Sequence, residues 1–132
     1  MSFKDEVNDA IVHVVSLRQL IQLSRARPPG EKFNEDKEKK RIEMLTDSKK
    51  KVDDLPPEMV ENLINLAIQA TPIELDAIVH NLERVEFLLE DINKGKDKKP
   101  SLAALIESFK VTPIIYNVLR SIGNLQKTIN AI

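Results

Sequence analysis

An all-α fold, a right-handed bundle of stacked helix pairs with about five to six helices, is predicted by three observations in this sequence. The first is composition: 42% apolar and 31% charged residues, one Tyr, no Trp and only three Gly fit a helical chain rather than a sheet or a disordered tail. The second is apolar periodicity, with residues recurring at spacings of three and four in segment after segment. The third is a recurring helix start. Ala70-Thr71-Pro72-Ile73 and Val111-Thr112-Pro113-Ile114 place Thr-Pro-Ile triplets 41 residues apart, each between two helical patterns. That interval is the period of a helix-pair repeat of the HEAT or armadillo kind. In each triplet Thr can cap with its hydroxyl, and Pro suits the first helical position because its missing N–H would be an orphan there.

Residues 2 to 26 read as the first helix. Ser2 with Asp5 approximates a capping box, Val7, Ala10, Ile11, Val14, Leu17 and Ile21 form its stripe, and Pro28-Pro29-Gly30 stops it. Arg18, Arg25 and Arg27 suit its C-terminal end. Val12, Val15, Leu20 and Leu23 widen the apolar surface, so this helix should pack on several neighbours or on another subunit. Glu31 to Arg41 reads as a charged linker running into a helix, with Ile42, Leu45, Val52 and Leu55 at roughly helical spacing and Lys49 in the gap between them. Met59, Val60, Leu63, Ile64, Ala67 and Ile68 mark a well-buried helix over 57 to 70.

After Thr71-Pro72, whose Glu74 completes a capping box, Leu75, Ile78, Leu82, Val85, Leu89 and Ile92 define the clearest helix, ended by Gly95. It is the expected axis of the fold. A short helix with Leu102, Leu105, Ile106 and Phe109 follows. The last runs from Pro113 through Ile115, Val118 or Leu119, Ile122, Leu125, Ile129 and Ile132, with Gly123 inside it either for a close crossing or as a neutral surface residue. At 132 residues one domain is expected: a core over 56 to 132, with an N-terminal helix, charged linker and weak helix over 1 to 55 packing on it.

Net charge is −1, which gives the whole molecule no electrostatic claim on nucleic acid. Its distribution is uneven. Eight acids face one base between Glu58 and Asp91, whereas seven bases face two acids between Lys94 and Lys127. Either these segments attract each other within the fold, or the acidic one serves a basic partner. Lys37-Glu38-Lys39-Lys40-Arg41 reads as a solvated helix start, with a phosphate-binding or nuclear-import patch as the alternative. There is no Cys, which excludes disulfides and thiolate chemistry, and no segment has the pattern of a signal peptide or a membrane span. A soluble, intracellular chain is the expectation.

No catalytic residues, cofactor or metal are expected. Asp76, His80 and Glu83 share a helical face, but no second histidine motif completes a coordination set, and His13 reads as an edge position. No phosphate loop, nucleophile elbow or Ser/His/Asp arrangement is present. Few aromatic residues and no Arg-dense helix argue against direct nucleic-acid binding, and the acidic start of the first helix argues against a membrane-surface role. Protein interaction remains.

From about Glu58 onward, roughly 75 of the 132 residues, the chain resembles a known helical family. The likeness rests on Leu-Asp-Ala-Ile-Val-His-Asn-Leu-Glu-Arg-Val over 75 to 85, on Leu105 with Phe109-Lys110-Val111-Thr112, and on Ile122-Gly123 with Leu125 and Ile129. These are similar to the domain shared by the N-terminus of transcription elongation factor S-II, Iws-type elongation factors and the integrase-binding domain of lens-epithelium-derived growth factor. The family's Ile-Gly pair lies about two turns into its last core helix, and here it comes one residue late. Iws-type factors carry extra helices before the domain, a topological counterpart for residues 2 to 55.

The resemblance implies a nuclear scaffold of transcription elongation or chromatin that binds short, often acidic and hydrophobic motifs of disordered regulators. By position it makes Phe109 and Val111 apolar contacts, with Lys110 as a charge beside them, and Thr71, Ile73 and Glu74 the second contact loop. The family's acidic residue falls near Thr71. For Phe109 the alternative is a core plug beneath the joint. A second expectation is a helical subunit of an obligate assembly, or an oligomer, joined through the apolar face of the first helix.

Overall fold

The computed structural model describes Ser2 to Asn130, so the stripe position Ile132 lies outside the described residues. The fold is all-helical. Its elements are α1 (Phe3–Ser24), α2 (Glu35–Lys51), α3 (Pro57–Gln69), α4 (Pro72–Asn93), α5 (Lys99–Ser108), α6 (Pro113–Ser121) and α7 (Gly123–Asn130), with a 3-10 turn over Phe109–Val111. Among the described residues seven helices stand where about five to six were expected, because the final pattern divides. Ile122 leaves helical geometry (φ −79°, ψ 98°) and Gly123 opens α7. A Cβ on Gly123 would meet nothing within 4 Å, so the close-crossing reading is replaced by that of a surface glycine at a helix start.

The axis of the bundle is α1, not α4. Val7, Ala10, Val14, Leu17, Leu20 and Ile21 are all buried, and α1 packs on α2, α3, α4 and α7. The surplus apolar width of the first helix is the cause: a stripe that covers more than one face must meet more than one neighbour. Around α1, α3 pairs with α6 and α4 with α5. One continuous core runs from Val7 to Leu125. Helices before and after residue 56 share this core, with α1 at its centre.

The Ser2–Asp5 capping box forms, with Asp5 N–H donating to Ser2 Oγ at 3.2 Å and Ser2 N–H to Asp5 Oδ2 at 3.3 Å. At the other end α1 stops at Ser24, and none of its last-turn residues is basic. The orphan carbonyl of Leu23 accepts instead from Arg41 Nη1 of α2 at 2.7 Å. Arg18 reaches Glu86 of α4 at 3.2 Å, and Arg25 reaches Asp76 at 3.7 Å.

Helix α2 begins within the expected linker, where Asn34 Oδ1 caps the Lys37 N–H at 3.1 Å. Ser48, not Lys49, fills the gap in its stripe: Leu45, Ser48, Val52 and Leu55 run at spacings of three, four and three. Buried Ser48 donates to Gln19 Oε1 of α1 at 3.2 Å. In α3, Val60, Leu63, Ile64 and Ala67 are buried as expected, while Ile68 is exposed. Gly95, at φ +88°, turns the chain from α4 into α5, a conformation that side chains with a Cβ resist.

Candidate protein-interaction site

The two helix joints differ in construction. At the first, Thr71 Oγ1 accepts from the Glu74 N–H at 3.2 Å and Glu74 Oε2 accepts from the Thr71 N–H at 3.0 Å, a complete capping box with Pro72 at the first helical position. Glu74 is thus committed to holding its own helix start. Ile73 projects outward, 83% exposed, while Leu75 two positions on enters the core. At the second joint Pro113 again opens the helix, but Thr112 makes no side-chain capping bond. The expected hydroxyl cap is absent. The position three beyond Thr112 is Ile115, which offers no carboxylate to return the bond, and Thr112 joins the preceding turn through its N–H to the Phe109 carbonyl at 2.8 Å.

Phe109 is 4% exposed and belongs to the core, so its side chain is the plug beneath the joint and presents no docking surface. The exposed apolar group is Val111, at 88%. Lys110 pairs with Glu107 one turn earlier. That contact holds the Glu107 carboxyl below the ordinary carboxylate range and raises the Lys110 ammonium above the usual lysine range, in each case chiefly through their mutual hydrogen bond.

Two residues that the sequence did not single out complete this cluster. The Tyr116 ring lies between Lys110 and Arg120, each 5.7 Å from its centroid, and Arg120 Nη1 donates to the Tyr116 hydroxyl at 3.0 Å. The signal was the spacing of four between Tyr116 and Arg120, which puts them on one face of α6. The structure brings Thr71 together with Glu74, and Lys110 together with Glu107, Tyr116 and Arg120. Among the described residues no hydrogen bond or ion pair joins the first joint to the second. Ile122-Gly123, placed two turns inside a helix by the family pattern, here separates α6 from α7.

The remaining candidates scatter. Asp76 turns toward Arg25, while His80 lines a shallow hollow with Glu83 and Arg84, and among the described residues no three metal-ligating groups stand together. His13 Nε2 lies 2.9 and 3.1 Å from the two carboxylate oxygens of Asp54, which ties α1 to the turn before α3. The acidic segment is compensated mainly by α1 and α2 rather than by the basic segment. Glu61 meets Lys49, Asp76 meets Arg25 just beyond α1, and Glu86 meets Arg18, while Asp91 meets Lys96 from the basic segment.

Among the described residues no helix is long and apolar enough to cross a membrane. Comparison with known protein families, with curated proteins and with solved structures finds no match to the chain.

Proposed function

We propose that the chain is a non-enzymatic protein-interaction module whose helix joints hold short motifs of disordered partners. The observation that carries this reading is the pair of apolar side chains Ile73 and Val111, 83% and 88% exposed, on backbone fixed by a capping box and by a 3-10 turn. Anchors held in place before binding lose little further entropy when a partner arrives. Lys110, which precedes the second anchor, is paired with Glu107, while Arg120 is ordered against the Tyr116 ring and is the cation that favours an acidic residue in the motif. Thr71 and Glu74 position Ile73, and Phe109 positions Val111 from beneath.

A nuclear scaffold of transcription elongation or chromatin is the finer form of the proposal. Its support is the resemblance of 75 to 85, 109 to 112 and 122 to 123. The obligate-assembly alternative loses the interface first assigned to it, since α1 spends its apolar surface on four neighbouring helices and leaves Val12 and Phe3 as its exposed large apolar residues. A displayed library of disordered peptides tests the proposal: the wild-type chain should enrich motifs that combine an acid with a large apolar residue. Enrichment of no motif, or of basic motifs alone, would contradict it.

A further inference from the structure

The second helix is fastened differently from the rest of the bundle. Of the 17 residues of α2, the one buried side chain is that of Ser48, a polar group. The 13 residues of α3 bury Val60, Leu63, Ile64 and Ala67, and even α7, with eight residues, buries Leu125 and Thr128. Helix α2 packs chiefly on α1, and half-buried Leu45 is its only apolar residue against the core, while Ile42 and Met44 are exposed. Little apolar surface returns to water when α2 leaves α1.

The bonds across this contact are polar as well. Ser48 Oγ donates to Gln19 Oε1 at 3.2 Å, Arg41 Nη1 donates to the Leu23 carbonyl at 2.7 Å, and exposed Lys49 lies 3.7 Å from Glu61 of α3. Water replaces such partners at small net cost. What keeps α2 helical lies within it: the Asn34 cap and the pairs Arg41 with Glu38 and Lys51 with Asp47. Those bonds survive undocking. Both ends suit a hinge. The connection from Ala26 to Asn34 is exposed throughout and carries no helix, and Gly30 within it stands at φ +86°. Directly after α2, buried Val52 and Leu55 and the contact of Asp54 with His13 fix the chain again.

We propose that α2 is a displaceable strap, which swings off α1 as a unit about the 26–34 connection and the Lys51–Val52 junction while the other helices stay packed. The docked strap covers the row of α1 that holds Gln19 and Leu23, with Leu20 beside them, and its opening gives access to that row. Because the chain has no Cys, single thiols report the opening. Ser48→Cys places one under the strap and Thr128→Cys places one in α7, at positions that are 2% and 1% exposed. The probe is dithiobisnitrobenzoate, applied to the full chain in native buffer and in low urea.

The thiol of Ser48→Cys should react at least about tenfold faster than that of Thr128→Cys, and with a weaker urea dependence, because lifting one helix exposes less surface than unfolding the bundle. Amide exchange of the wild-type chain should show the same weak urea dependence across Lys39 to Lys51 and a steep one from Val14 to Ile21. Equal rates with a single urea dependence at both thiols, after correction for each variant's own stability, would overturn the strap. Fast labelling of Ser48→Cys beside α2 amides that exchange only on global unfolding would overturn it too, since a side chain and not the helix would then be moving.

Discussion

Phe109 and Val111 sit two residues apart and take opposite roles, because the 3-10 turn directs one inward and the other outward. Replacing Phe109 by Ala deletes a ring from a packed interior and should cost about 3 to 5 kcal/mol. Val111→Ala, at an exposed tip, should stay within about 0.5 kcal/mol. Urea unfolding of the two variants checks this contrast, and a loss at Val111 comparable to that at Phe109 would show that the tip is structural. The sequence left the orientation of Phe109 open for a physical reason. It lies at the end of α5, where helical periodicity stops assigning faces, and only the turn geometry decides. Tyr116 escaped notice for the converse reason: its role comes from cations at positions 110 and 120 that converge on it from two elements.

At the scale of elements, caps and breaks were legible where a side chain completes a local bond. Ser2 with Asp5 and Thr71 with Glu74 form as their spacing requires. Thr112 lacks the partner and makes no such bond, although the triplet looks the same. The seam of α2 was obscured because its central buried position is a serine, satisfied by Gln19 of another helix, which no apolar periodicity can reveal. The division of the last helix was obscured too, since Leu125 and Ile129 keep the apolar rhythm across the break.

Gly123 gives that division a test. It has ordinary backbone and open space around its Cβ position, so Gly123→Ala should stabilise the chain by up to about 1 kcal/mol. Gly30→Ala and Gly95→Ala, at φ +86° and +88°, should destabilise it. Thermal melts of the three variants separate these outcomes, and a destabilised Gly123→Ala would mean that the glycine is needed for the α6–α7 turn.

For the whole molecule, the helical class and the approximate element bounds followed from apolar spacing, but the hub did not. Both α1 and α4 are 22 residues long with continuous stripes, and the regularity of the α4 stripe made it the expected axis. The deciding feature was the extra apolar width of α1 at Leu20 and its neighbours, which calls for several partners without naming them. Because α1 supplies the centre of the single core, residues 56 to 132 alone should show no cooperative thermal transition by circular dichroism; a sharp melt of that fragment would restore an independent domain there.

The charge pattern likewise resolved only in three dimensions. Partners of the acidic segment include Arg18 of α1, Arg25 just after it and Lys49 of α2, all of which precede it in the chain. What remains outside the core is a pair of ordered joints with exposed apolar tips, and their role in binding is the central claim. The direct test is isothermal titration of the strongest motif selected by the wild-type chain against the Ile73→Asp/Val111→Asp variant. The motif should lose at least about tenfold in affinity, equivalent to about 1.4 kcal/mol, while the melting curve stays unchanged. Undiminished affinity in the folded double variant would contradict the claim.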